Sequence, residues 1–451
     1  MATQPWPYLE RLDASLDLKA LGVVGHGLRA CRPHRLQHLT LRLLFRPTAE
    51  EAEQEVEGGP LAAAIAHGHL RSLVHLALLP EELRFEVGAG EEVPVSEMVW
   101  IQTDALSPVF DALASSSSLS SLAVGEFLSP LSFAAMNKML RARGSEMRHL
   151  RLGRLNGDEL MPQLMELAHM LKEGAFPSLR TFHLNDLSSS PSLFPHSRSG
   201  RLELLRVLLE EGIRKGGVLA RLEDLSLRNT GVTSADFEDL LYARCLPSLV
   251  HLSLGNESES LIYNFNCVGW PAMQALRRIG AARASPSPPS SSVGPLFPRL
   301  QTLNLHGNRL SPFGASQLLT SLVKHRVMPA LRRLDVRNTH IGAGGLGSVL
   351  KILSLRAPPP SPSSSFPATT PTSPPLGTLR HLYVSLTHGK DEERQLETVQ
   401  ALLLQASQSL PRLRMLAILD EGEILDADTE NRLKVRGEGT RKGEEEMKER
   451  R

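Results

Sequence analysis

The sequence is poor in aromatic residues and in net charge. Aromatic residues make up 4% of its 451 positions, too few for a surface that stacks nucleic-acid bases. The 50 basic and 49 acidic residues give a net charge of +1, whereas proteins that bind nucleic acid or acidic lipid usually carry a basic excess. We therefore expect neither nucleic acid nor a membrane to be the main partner.

Cysteine and long apolar runs are also scarce. Three cysteines, Cys31, Cys245 and Cys267, are too few to cross-link a chain of this length, and an odd number suits a reducing compartment. No run of about 18 apolar residues is present, and the first residues lack the apolar stretch of a signal peptide. These shortages predict an intracellular protein, with the cytoplasm favoured over the nucleus.

What the sequence does contain is a repeat, Leu-x-x-Leu-x-Leu. The clearest copies begin at Leu222, Leu249, Leu300 and Leu331, and weaker ones begin at Leu36, Leu73, Leu119, Met147, Leu179, Leu379 and Leu413. Apolar residues alternate with polar ones over the first six positions, which indicates a short strand. Beyond position eleven they follow helical spacing. Each copy therefore predicts a strand, a turn and a helix.

This pattern resembles the leucine-rich repeats of the ribonuclease-inhibitor subtype, over roughly residues 35–420. The resemblance implies an α/β solenoid, a horseshoe with parallel strands on the concave face and helices on the convex face. It also implies that an Asn or Thr at the ninth motif position hydrogen-bonds the neighbouring coil. Thr230, Asn308 and Thr339 fit that rule, whereas Leu155 and Glu257 do not.

The predicted organisation has three parts. Residues 1–34 form an N-terminal cap, residues 35–420 form the repeat array and residues 421–451 form a charged C-terminal tail. Unusually wide spacings between repeats coincide with Pro- and Ser-rich stretches. These lie near 188–200, 284–295 and 357–376. Because such segments cannot bury an apolar face, we expect them to be disordered inserts.

No motif for catalysis is present. The sequence has no Walker A loop, no His-Glu-x-x-His and no serine nucleophile elbow, and its cysteines lack zinc-site spacing. We expect no cofactor and no metal. The glycines between Gly342 and Gly347 match a dinucleotide-binding pattern, but Gly345 aligns with Gly314 of another repeat, so we interpret them as a repeat turn.

Histidines recur at the third motif position, as His38, His75, His149, His251 and His381. Other residues interrupt this column, so only His38 and His75 are expected to be adjacent. We interpret them as surface histidines.

The third, fifth and seventh motif positions are expected to point away from the core, because the fourth and sixth point into it. The candidate partner-binding residues on this face are Arg151, Arg228, His306, Arg333, Asp335, Arg337 and Tyr383. The excess of arginine favours an acidic surface on the partner, because a guanidinium pairs with a carboxylate through two hydrogen bonds. The densest group is predicted at Arg333 and Arg337, on one strand beside His306.

The predicted function is that of a non-catalytic scaffold that binds a protein partner on the concave face. Two alternatives stay open. One is a regulator of a small GTPase, similar to Ran GTPase-activating proteins, although no polar catalytic loop is evident. The other is a substrate-recognition subunit of a ubiquitin ligase, although no F-box pattern is evident before the repeats.

Overall fold

The computed structural model describes residues 8–17, 20–44, 58–80, 103–115, 118–125, 128–156, 159–188, 218–243, 246–256, 266–284, 296–341, 378–386 and 413–420. The charged tail, the Gly342–Gly347 motif and the greater part of each predicted insert lie outside these ranges. The chain divides into two compact units, with the boundary between Ser226 and Leu227.

The described part of the first unit holds seven parallel strands that pair in chain order. They are β1 Arg11–Asp17, β2 His38–Leu44, β3 His75–Pro80, β4 Ser121–Gly125, β5 His149–Asn156, β6 Thr181–Ser188 and β7 Asp224–Ser226. The helices are α1 Leu21–Cys31, α2 Gly59–Ala66, α3 Ser107–Ala114, α4 Pro130–Arg143, α5 Met161–Lys172 and α6 Val218–Arg221, with a 3-10 turn at Asp104–Leu106.

The described part of the second unit holds five parallel strands, also paired in chain order. They are β8 His251–Ser253, β9 Thr302–Asn304, β10 Arg333–Val336, β11 His381–Leu386 and β12 Met415–Asp420. The helices are α7 Ser234–Ala243, α8 Trp270–Ala284 and α9 Ser311–Lys324. No described helix in either unit is both long and apolar enough to cross a membrane.

The leucine spacing sets the register of the strands. In each described pairing the third motif residue faces the third motif residue of the next repeat, as His38 faces His75 and Thr302 faces Arg333. The leucines at the fourth position point inward, and Leu150 and Leu303 are fully buried. Strand, turn and helix thus alternate through the described part of the first unit and from β8 to β10 in the second, which confirms the predicted α/β leucine-rich-repeat architecture. The ribonuclease-inhibitor subtype stays a prediction.

The repeat pattern begins before residue 35, where the sequence places the start of the array. Strand β1 pairs in parallel with β2 from Arg11 to Asp17, and α1 follows it. The residues before and in β1 carry a degenerate motif, Leu9-x-x-Leu12-x-Ala14. The predicted N-terminal cap therefore contains a strand and a helix like those of the repeats, and its role as a cap stays a prediction.

Candidate functional site on the strand face

We define the strand face as the side of each sheet that carries motif positions three, five and seven. In the second unit the register places Thr302, Arg333 and His381 in one row across β9, β10 and β11. A second row holds Asn304, Asp335 and Tyr383. Because paired strands lie about 4.8 Å apart, side chains in one row touch their neighbours. Five of the seven predicted residues meet here: His306, Arg333, Asp335, Arg337 and Tyr383.

Two arginines of β10 and the turn after it cover the ring of Tyr383. The guanidinium carbon of Arg333 lies 4.6 Å from the ring centroid, and that of Arg337 lies 5.7 Å from it. Both distances are within the range of cation–π attraction. The side chain of Tyr383 is fully buried, and both guanidinium groups pack over its ring.

Asp335 and Arg337 form a buried ion pair. Arg337 donates from Nε to Oδ1 of Asp335 at 2.9 Å and from NH2 to Oδ2 at 2.7 Å. The backbone N–H of Arg337 also donates to Oδ1, at 3.2 Å. Asp335 is 2% exposed and Arg337 is 6% exposed. The guanidinium group of Arg337 is therefore already paired with a carboxylate of the same chain.

His306 lies beside this pair and is held by amides. Asn338 Nδ2 contacts His306 Nε2 at 3.1 Å, and Ser385 donates its hydroxyl to Asn338 Oδ1 at 3.0 Å. The backbone N–H of His306 donates to Asn304 Oδ1 at 2.9 Å. Burial lowers the pKa of His306, and nearby Arg337 lowers it further, although Asp335 opposes them. The ring is therefore neutral at pH 7.

The structure places the seven predicted residues unevenly. Arg151 is exposed on β5 of the first unit, and Arg228 follows β7 in the second. His306, Arg333, Asp335, Arg337 and Tyr383 form one group, which we name the β10 cluster. Partner binding at any of these residues stays a prediction.

Asp335, Arg337 and Tyr383 lie at strand-face positions, yet their side chains are buried. These three are buried because the ion pair and the ring contacts satisfy them within the chain. Arg333 is half-buried, so it is the arginine of the β10 cluster that a partner can reach.

Asn266 completes the turn after β8, although the count from the leucines does not identify it. The equivalent residue in the next repeat is Asn308. Asn308, at the ninth motif position, donates from Nδ2 to the carbonyls of Leu254 and Leu305 and accepts the N–H of Val268. Asn266 makes the matching set: it donates to the carbonyls of Leu227 and Leu254 and accepts the N–H of Val232. By count the ninth position of that repeat is Glu257.

The ninth-position role falls on Asn266 and not on Glu257 because extra residues lie between Asn256 and Asn266. Nine residues, 257–265, separate Asn256 at the eighth position from Asn266 in the ninth-position role. A local signal was available, because Asn266-Cys267-Val268 has the same Asn-x-aliphatic form as Asn308-Arg309-Leu310. Counting from the leucines alone passes over it.

The first unit shows a histidine row on its strand face. The rings of His38 and His75 lie 5.7 Å apart, which confirms the predicted adjacency. His75 Nδ1 lies 2.7 Å from the Ser121 hydroxyl, and His149 Nδ1 lies 3.0 Å from that of Thr181. Burial lowers the pKa of His75 and of His149. Within the described ranges, no group of three His, Cys, Asp or Glu residues could hold a metal ion.

Comparisons with known proteins add little to this geometry. A scan against protein-family models finds no match, and a search of curated proteins finds none either. Among solved structures, a crystal structure of a TLR13–ssRNA13 complex matches at 15% sequence identity and a TM-score of 0.32. The match covers 86% of this chain and 48% of that one, so this chain spans about half the length of that structure.

Proposed function

We propose that the chain is an intracellular, non-catalytic scaffold that grips a protein partner with the strand face of its second unit. The observation that carries this proposal is the stacking of Arg333 on the buried ring of Tyr383, 4.6 Å from its centroid. Arginine and tyrosine are among the residue types that dominate binding energy at protein interfaces.

The β10 cluster is ordered before any partner arrives. Both oxygens of Asp335 are held by Arg337, and the Tyr383 ring is fixed by burial. A partner that contacts Arg333 therefore orders few additional groups, and ordering is one of the main costs of association. Such preorganisation suits a surface that binds without chemical conversion.

The charge of the β10 cluster favours an acidic partner surface. Asp335 and Arg337 neutralise one another, and the lowered pKa of His306 keeps its ring uncharged at pH 7. The net charge of the cluster is then that of Arg333. A guanidinium group pairs with a carboxylate through two hydrogen bonds, so this charge suits Asp and Glu side chains on a partner.

Binding measurements with a matched pair of variants test the proposal. A partner is recovered by affinity purification, produced recombinantly and titrated against wild type, Arg333→Glu and Arg309→Glu. Arg309 is exposed in the turn before α9, off the strand positions, and gives the same charge change. We expect Arg333→Glu to weaken binding about tenfold or more, a loss of about 1.4 kcal/mol. Arg309→Glu should change it less than about twofold.

The opposite ranking of the two variants would place the partner elsewhere on the chain. The same purification addresses the two alternative functions. A small GTPase whose turnover accelerates with this chain would make the chain a regulator with a catalytic effect. Recovery of a cullin adaptor would make it a substrate-recognition subunit.

A further inference from the structure

A group of basic side chains lies at the C-terminal turns of the first two helices. Arg29 is in the last turn of α1, Arg32 caps that helix and His34 follows it; His67 and His69 follow α2. We name these five residues the basic turn patch. Arg29, Arg32, His34 and His67 are exposed, and His69 is half-buried. The patch belongs to the first unit, whereas the β10 cluster belongs to the second.

The backbone holds the patch in a fixed arrangement. Gly68 adopts a left-handed φ of 74°, and the N–H groups of Gly68 and His69 donate to the carbonyls of Ile65 and Ala64. This is a Schellman ending of α2. It leaves the rings of His67 and His69 nearly parallel, with centroids 6.1 Å apart and planes at 13°.

The two helix ends are joined by a hydrogen bond. The Ser72 hydroxyl, in the turn after α2, donates to the carbonyl of His34, in the turn after α1, at 2.8 Å. The cationic side chains of the two turns therefore sit on one connected surface.

The electrostatics of the patch are uniform in sign. The charged groups that act on His69 are all cationic: Arg32, His67, His34 and Arg29. Burial, followed by these neighbours, lowers the pKa of His69. The two arginines give the patch a positive charge at every physiological pH. An anion placed here would meet several donors and would favour protonation of His69.

The backbone of Arg32 adopts a conformation that favours glycine. Its φ is 46°, in the left-handed region, where the turns after α2 and α5 use Gly68 and Gly174. A side chain with a Cβ is disfavoured there. Arg326, after α9 in the second unit, has a similar φ of 47° but no place in the patch. It offers a matched control for any change at Arg32.

We infer that the basic turn patch docks a short acidic segment, rich in Asp and Glu, of a protein partner. The patch ends after two repeats, because Ala114 and Ser115 at the end of α3 carry no charge. In the last turn of α4, Arg141 is already paired with Glu166 and Glu173. A site of two turns fits a few carboxylates, whereas a nucleic acid or an anionic membrane is bound along a longer track of cations.

Fluorescence anisotropy with the full chain tests this inference without knowledge of the partner. The probe is a labelled peptide of alternating Glu and Gly, and the control peptide carries Gln in place of Glu. At about 50 mM salt, where screening is weak, wild type should bind the Glu peptide and not the Gln peptide. The double change Arg29→Gln and Arg32→Gly should weaken binding about tenfold.

A second variant separates binding from folding. Arg32→Gly alone should weaken peptide binding and leave the melting temperature unchanged or higher, because glycine suits the left-handed position. Arg326→Gly makes the same backbone change in the second unit and should leave peptide binding unchanged. Equal binding by wild type and Arg32→Gly, or no binding of the Glu peptide by wild type, overturns the inference.

The pH dependence gives an independent readout. Affinity for the Glu peptide should rise as the pH is lowered from about 8 to about 6, because bound carboxylates favour the protonated form of His69. The change His69→Asn should flatten that rise. A pH-independent affinity, or tighter binding of single-stranded DNA or phosphatidylserine vesicles than of the Glu peptide, contradicts an acidic protein segment as the ligand.

Discussion

Strands β5 and β6 of the first unit are eight residues long, whereas β8 and β9 of the second unit are three. The ninth motif residue accounts for the difference. In the first unit Leu155 and Leu187 hold that position, pair with one another and are buried. In the second unit Asn266 and Asn308 take the role, and each bonds carbonyls that a longer strand would have paired.

In both units the eighth motif position, just before the ninth, has the same backbone conformation. The eighth position is left-handed at Arg154 and Asp186 in the first unit and at Gly307 and Asn338 in the second, with φ between 51° and 69°. The chain therefore bends at the same place in both units. A buried leucine after the bend lets pairing resume, while a polar residue directs the chain into a turn.

The second unit also buries charge. In the described part of the first unit no charged side chain is buried, whereas the second buries Asp236, Asp335 and Arg337. The largest expected effect follows: Arg337→Ala leaves the Asp335 carboxylate buried and unpaired and should cost about 3–5 kcal/mol of unfolding free energy. Arg333→Ala, which removes only a half-buried stacking contact, should cost about 1 kcal/mol or less. Urea denaturation of both variants checks the ranking, and similar costs would mean that the pair is not buried.

Truncation of a core leucine should destabilise the two units to a similar extent. Leu150 and Leu303 hold the same motif position in the first and second unit and are both fully buried. Each Leu→Ala change should cost about 2–5 kcal/mol, and the two costs should be close. Denaturant titrations give both values. A cost under about 1 kcal/mol for either leucine would break the shared register on which the comparison depends.

Asn266→Ala tests the ninth-position role that the sequence count missed. Asn266 is 1% exposed, and its loss leaves the Val232 N–H and the Leu227 carbonyl without their amide partner. We expect a cost of about 2–3 kcal/mol. The neighbouring exposed Cys267 serves as the control, and Cys267→Ala should change stability by less than about 0.5 kcal/mol. Equal costs would remove Asn266 from the role.

The smallest expected effect is a loss of folding stability at acidic pH. Burial lowers the pKa of His306, so below about pH 6.5 the unfolded chain takes up a proton before the folded chain does, and stability falls. The same sign holds for His75 and His149 of the first unit. Their rings meet hydroxyl groups, which can either donate or accept, whereas His306 meets the NH₂ group of Asn338, which only donates.

The second unit should therefore be the more sensitive to acid. Hydrogen exchange at pH 7 and pH 5.5 should show a larger loss of protection in β9 and β10 than in β3 and β5. His306→Gln should remove the excess loss. A steeper loss in the first unit would contradict this assignment.

Much of the fold was predictable because one physical rule repeats. A leucine at the first, fourth and sixth positions must be buried in every repeat, and this fixes the strand, its register and its inward face. The rule weakens where a residue has a neighbour on one side only. Among the described strands β1 pairs with β2 alone, and its motif before residue 35 is degenerate.

The candidate site was less predictable, because it depends on neighbours distant in sequence. Alternation places Asp335, Arg337 and Tyr383 on the strand face, but it cannot show that the ring of Tyr383 lies beneath both guanidinium groups. That contact comes from β11, which is separated from β10 by a long stretch of chain. The same holds for Asn266, whose role is visible only through its bonds to Leu227 and Val232.

Site-specific photo-crosslinking tests most directly whether the strand face of the second unit is the binding surface. A photoreactive residue is placed at His251 or Thr302 on the strand face, and at Arg278 or Lys324 on the helices, all within the second unit. After irradiation in cell extract, the strand-face positions should give a discrete heavier adduct and the helix positions should not. Adducts from the helix positions alone would contradict binding on the strand face.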